Sequence, residues 1–166
     1  MLHPQRGRFA RIGAAFAADN ATLTGEIELG EGANIWFGCV LRGDDAPLSI
    51  GADTNVQDLS MIHADPLVPN RIGARVTIGH RAILHGALVE DECLIAMGAI
   101  LLGGSRIGAG SIVAAGAVVK ENLVVPPRSL VVGIPGRIVR ELGEKERQAI
   151  LHSAAEYRRK VELYLP

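Results

Sequence analysis

His63, His80 and His85 crowd a short window of the 166-residue chain. Three imidazoles around one ion leave a fourth position open, the ligand arrangement of a catalytic zinc. Such an ion lowers the pKa of its water to about 7 and supplies hydroxide at neutral pH. Imidazole equally suits ferrous iron, cobalt or nickel. The plainer alternative is three histidines that hydrogen-bond within an interface. The choice rests on whether the backbone brings them together. In "TIGHRAILHG", residues 77–86, His80 and His85 stand five apart. A strand sends such a pair to opposite faces, and the glycines argue against a helix.

A six-residue repeat must position these side chains. Stepping by six from Val89 gives Ile95, Leu101, Ile107, Val113, Val119, Val125 and Val131, all aliphatic. Upstream the same step gives Leu23, Leu29, Ile35 and Leu41, then Ile50, Val56 and Ile62, then Ile72, Ile78 and Leu84. Short insertions separate these blocks, and a five-residue step joins Leu84 to Val89. A second column of small residues follows each head by four: Ala33, Cys39, Thr54, Ser60, Ala82, Cys93, Ala99, Ser105, Ser111 and Ala117. Such a period with Gly-rich corners predicts an all-β solenoid, a parallel β-helix of hexapeptide repeats with about eighteen residues per triangular coil. The repeat spans residues 12–136. Residues 137–166 are rich in helix formers, with Ala149, Ile150, Leu151, Ala154, Tyr157, Val161 and Tyr164 at helical intervals, and predict a C-terminal α-helix on the outside of the prism. His152 reads as a surface or packing residue, and Cys39 and Cys93 as small core residues.

The repeat then serves as a ruler. Leu41, Ile62 and Leu84 head one column, so the residues after them, Arg42, His63 and His85, stack on one edge about 4.8 Å apart. The inserted segments "RGDDAPLS" and "HADPLVPNR" leave the prism at that corner. Ile35, Val56 and Ile78 head the neighbouring column, which puts Gln57, Asp58 and His80 on a different edge. If one ion takes all three histidines, two come from one chain and the third from another. A three-sided prism suits a cyclic homotrimer with the metal shared between chains.

Composition narrows the classes. Hydrophobic residues make up 48% and aromatics only 4%, so the core is layered Val, Ile, Leu and Ala. A net charge of -1 gives no footprint for nucleic acid or an anionic membrane. No apolar run spans a bilayer, and "MLHPQRGRFARIG" lacks a signal core, so a cytoplasmic protein is expected.

The stretches "WFGCVLRGDDAPLSIGADTNVQDLSMIHADP", "IGARVTIGHRAILHG" and "LVVGIPGRIVREL" together resemble the γ-class carbonic anhydrases and their close relatives, over nearly the whole chain. The resemblance implies a left-handed β-helix homotrimer and a zinc-dependent lyase (Fe2+ or Co2+ in place of Zn2+ is compatible). Metal-bound hydroxide would convert carbon dioxide to bicarbonate at subunit interfaces. It assigns His63, His80 and His85 as ligands, with His80 from the adjacent chain. Arg42 and Asp44 of "RGD" would form intersubunit ion pairs. Asn55, Gln57 and Asp58 match "NxQD", with Gln57 placed to hold the hydroxide and Asp58 to support the interface. Asp45 matches an acid beside "RGD", and Tyr157 a tyrosine that reaches the site from the C-terminal helix. The loop after His63 departs from the pattern: it is short and holds only Asp65, so proton release falls to Asp45 or buffer. The alternatives are a hexapeptide acyltransferase or acyl-CoA thioester hydrolase, and a non-catalytic trimeric metal-binding scaffold.

Overall fold

The structure, a computed structural model, describes residues 8–165. Residues 1–7, part of the stretch read for a targeting signal, and Pro166, the end of the expected helix, lie outside them. The chain winds into parallel coils with three faces. The first face stacks Ala17, Ile35, Val56, Ile78, Ile95, Val113 and Val131 in register. The second stacks Leu23, Leu41, Ile62, Leu84, Leu101 and Val119. The third stacks Leu29, Ile50, Ile72, Val89, Ile107 and Val125. The long strand Val40–Ile50 turns a corner and serves the second and third faces. These are the columns that the six-residue step predicts. From Ile35 onward their heads are buried; Leu23 and Leu29 in the first coils are partly so.

The second column explains its own residue types. The prism interior leaves room for a methyl, thiol or hydroxyl, and all ten positions are buried. Three of the column's four hydroxyls, all but Ser105, also complete corner hydrogen bonds. Thr54 Oγ1 donates to the Gly73 carbonyl at 2.7 Å and accepts from Val76 N–H at 3.0 Å. Ser60 bridges Gly79 and Ala82, and Ser111 bridges Pro126 and Ser129, in the same way. Each corner needs one left-handed residue. Gly86, Glu92, Gly98, Gly104, Gly110, Gly116, Asn122 and Arg128 all have positive φ, again six apart. Glycine takes this conformation without steric cost, whereas a side chain there costs about 1 kcal/mol or more.

The two ends depart from the expected bounds. An antiparallel hairpin of Phe9–Ile12 and Ala15–Ala18 precedes the first coil, so sheet begins before residue 12. Residues 137–166 are not helix throughout. Arg137–Glu141 is a strand antiparallel to Ser129–Val132, and the helix runs Glu144–Lys160. That strand is exposed and caps the open edge of the last coil, a role that leaves no apolar pattern in its sequence. The helix starts after Gly143, whose N–H donates to Glu146 Oε2 at 2.8 Å. It buries Ile150 and Ala154 against the first face.

Both thiols lie inside the prism. Burial pushes Cys39 up to about 11 and Cys93 up to about 12. Each stays protonated in the fold, while the unfolded thiols ionise near 9.0. The folded state therefore binds more protons above that pH, and stability falls as pH rises past it. Neither thiol should react with iodoacetamide at pH 8 in the native protein, and both should react in urea, as read by mass spectrometry. Ile95→Ala should cost about 2–5 kcal/mol in urea unfolding, because the rigid coils above and below cannot collapse into the cavity.

Candidate metal centre

The corner after the second face gathers the first group. His85 pairs with His63 across adjacent rungs, and their rings meet edge to face at 5.3 Å between centroids. Arg42 follows Leu41 on the next rung, where Leu41 opposes Ile62. "RGDD" then swings its carboxylates over this edge. Gly43 makes the swing possible, since a Cβ there would lie 2.2 Å from the Glu26 carbonyl oxygen. His63 is buried, and its Nε2 lies 3.0 Å from Asp45 Oδ2 and 3.3 Å from Asp44 Oδ1. Asp44 and Arg42, both expected in ion pairs between subunits, lie 3.1 Å apart within the chain. That guanidinium holds the exposed Asp44 carboxyl below its usual range. Asp65, in the short loop 64–69, approaches His85 Nδ1 at 3.7 Å.

The corner before the second face carries the second group. Asp58 Oδ2 lies 2.8 Å from His80 Nδ1, which fixes the ring proton there and leaves the Nε2 lone pair outward. Tyr157 of the helix reaches that nitrogen at 3.2 Å. Burial and the Asp58 charge push the Tyr157 hydroxyl up, so it acts as the donor. Gln57 is buried, and its Nε2 donates to Asn55 Oδ1 at 3.1 Å. Asn55 Nδ2 in turn donates to Thr77 Oγ1 at 3.0 Å, and Thr77 to Ser153 Oγ of the helix at 3.3 Å. This chain fixes the Gln57 amide, and no hydrogen bond reaches its carbonyl oxygen among the described residues.

The three histidines therefore do not meet within one chain. Among the described residues, the one set of three potential ligands within 4.8 Å of one another is Asp44, Asp45 and His63. Clefts of about 460 and 440 Å³, one at Arg71 and Leu88 and the other between the helix and Arg75, contain no histidine. Each edge nevertheless fits a metal in its donor chemistry: paired imidazoles flanked by carboxylates on one, an imidazole aligned by a carboxylate on the other. Sequence reasoning missed Thr77 and Ser153, whose roles depend on where the helix lands. It also missed Asn70, a buried amide behind His63. The shortened step from Leu84 to Val89 was its one available signal.

Two hexapeptide-repeat families match the chain: bacterial transferase hexapeptide (six repeats) at residues 86–121, and hexapeptide repeat of succinyl-transferase at residues 69–102. A carbonic anhydrase of Geobacillus kaustophilus is 44% identical over 99% of this chain and 91% of its own. The chain belongs to the γ-class carbonic anhydrase family. Gamma carbonic anhydrase 1 (mitochondrial) of Arabidopsis thaliana is also 44% identical, over 86% of this chain and 54% of its own length. A hexapeptide transferase family protein from Anaplasma phagocytophilum superposes with a TM-score of 0.89 at 34% identity, over 93% of this chain and 91% of that one. The γ-class repeat and the transferase repeat thus share one scaffold, and the histidine edges must distinguish their chemistry.

Tyr157→Phe removes the hydroxyl from His80 Nε2 and should lower the stability of the metal-free protein by about 1 kcal/mol in urea unfolding. A loss no larger than the scatter among repeats would place that hydroxyl in water.

Proposed function

We propose that this protein catalyses the reversible hydration of carbon dioxide to bicarbonate in a cyclic trimer. Each centre would combine His63 and His85 of one copy with His80 of its neighbour. The observation that carries this reading is the separation of the histidines onto two edges, each arranged for a metal and neither complete.

The surface between those edges supports self-association. Val40, Met61, Ile83, Ile100 and Val118 form an outward apolar ladder on the second face. Leu59 and Met97 extend it, 62% and 58% exposed. Burying this ladder against a second copy removes apolar area from water and brings one copy's edge to the other edge of its neighbour.

A bound zinc or ferrous ion supplies a Lewis acid that makes water acidic near neutral pH. The chain's own residues do the rest. Asp58 keeps the proton on His80 Nδ1, so Nε2 can act as a ligand. Gln57, anchored through Asn55, offers its carbonyl oxygen as acceptor to the reacting water and orients it. Asp45 and Asp65, both on the open side of their edge, are the carboxylates available to pass the released proton to buffer.

The zinc-loaded or anaerobically iron-loaded protein should hydrate CO2 faster than its His80→Ala variant; equal rates with both metals would overturn the reading. Gln57→Ala should keep the trimer and lose activity by tenfold or more, about the smallest effect of losing an orienting group. Co-refolding His63→Ala with His80→Ala in equal amounts should restore about a quarter of wild-type activity, because random trimers rebuild that share of centres from two intact halves. A centre made within one chain would restore none.

The matched transferase repeats favour a second reading, acyl transfer or thioester hydrolysis on acyl-CoA. Turnover of acyl-CoA that survives in His80→Ala alongside absent CO2 hydration would select it. A trimer that binds metal and turns over neither substrate would select the scaffold reading.

A further inference from the structure

The edge that carries His63 and His85 has a structural defect. At most corners the residue four after a column head donates its N–H to the carbonyl three residues earlier, as Ala99 to Ala96, Ser105 to Leu102, Ala117 to Ala114 and Leu123 to Lys120, though Cys93 and Ser111 do not. The step from Leu84 to Val89 is one residue short. At that corner Ala87 would have to bond Leu84, and the backbone makes no such bond. The Ala87 N–H is left without a backbone acceptor, in the turn that bears His85.

Asn70 supplies the missing partner. Its Oδ1 accepts from Ala87 N–H at 2.7 Å, and its Nδ2 faces the Leu84 carbonyl at 3.4 Å. The same Nδ2 donates to the His63 carbonyl on the adjacent rung. The side chain is 1% exposed, so water cannot replace it. One amide thus ties the backbone of His63 to the turn around His85. It also ends the loop 64–69, which gives it a fixed position at the start of the strand Asn70–Ile72.

We propose that Asn70 is a positioning residue for the paired imidazoles: it closes the shortened corner and so sets the separation of His63 and His85. This rests on the reading of those two as ligands of one ion. Gly86 N–H also donates to the His63 carbonyl, at 3.0 Å, but among the described residues only Asn70 is hydrogen-bonded to the Ala87 N–H. An aliphatic side chain at this position would leave the Ala87 N–H unpaired and free the turn to tilt.

The test compares the full-length protein with Asn70→Leu and with Ser111→Ala. Ser111 also bridges a corner, between Pro126 and Ser129, but lies away from the histidines. Zinc affinity is measured by chelator competition, the cobalt(II) visible spectrum reports ligand geometry, and NOEs between the His63 and His85 rings are read in metal-free protein. Asn70→Leu should weaken zinc by about 10–100-fold, alter the cobalt spectrum and weaken the ring NOEs. Ser111→Ala should lower the melting temperature with all three unchanged. Wild-type affinity, spectrum and NOEs in a folded Asn70→Leu would overturn the proposal. If the wild type binds neither ion, the metal reading fails by itself, and the NOEs still decide whether Asn70 sets the ring separation. If Asn70→Leu does not fold, Asn70→Asp keeps the acceptor for Ala87 and loses the donor, and the same three readouts decide on it.

Discussion

The parallel register between successive coils is the constraint on which everything else depends. Leu41, Ile62, Leu84 and Leu101 oppose one another on four successive rungs, and each is fully buried. A one-residue slip would turn such a column outward and bring its neighbours in. Each aliphatic side chain so exposed forfeits about 1.5–3 kcal/mol, so the register is locked by many equal terms. The position after each head inherits that precision. His85 sits across from His63 because Leu84 must sit across from Ile62. The core therefore places the imidazoles, and the insertions beside them are free to vary.

A narrow prism has no room for aromatic rings, and the chain puts all of its own elsewhere. Phe9, Phe16, Phe37, Trp36, Tyr157 and Tyr164 form a separate cluster with Val161 outside the coils. Trp36 meets Phe9, Phe37, Tyr157 and Tyr164 edge to face at 5.0 to 6.1 Å, and its indole N–H donates to Asn34 at 2.7 Å. The cluster fastens the N-terminal hairpin to the C-terminal helix, with Phe9 N–H bonded to the Tyr164 carbonyl. It thereby holds Tyr157 over His80 and Ser153 over Thr77. Packing at one end of the molecule thus fixes polar groups beside the second histidine edge.

The sequence made the prism legible because a repeat multiplies a weak signal: each buried Val or Ile says little, but a column of them names the face. The same ruler separated His80 from His63 and His85. What it could not carry falls into two kinds. The strand Arg137–Glu141 is exposed, so burial writes no alternation into it, and its Arg and Glu read as helix formers. The contacts of Trp36 and Ser153 join segments far apart in the chain, and Asn70 reaches back to His63 and on to Ala87 across an irregular loop, so no repeat spacing records them. Arg42 and Asp44 show the converse case. Their types were informative, yet whether they pair inside a chain or across chains depends on rotamers that periodicity does not reach.

The two histidine edges differ in charge as well as in position. His63 lies among Asp44, Asp45 and, through His85, Asp65; Arg42 offsets one of these charges, and the remaining excess of carboxylate attracts a cation before any partner arrives. His80 lies beside a neutral amide chain and a single carboxylate already committed to its Nδ1. On the proposed reading, the first edge captures the ion and the second completes and orients it. Association then adds a ligand and the Gln57 carbonyl in one step, driven by the apolar ladder between the edges. Linkage makes the coupling reciprocal: whatever metal binding gains from the neighbouring His80, the trimer gains in stability from the metal. A chain that carried all three ligands on one edge would bind its ion as a monomer, and the apolar second face would then have no part in the chemistry.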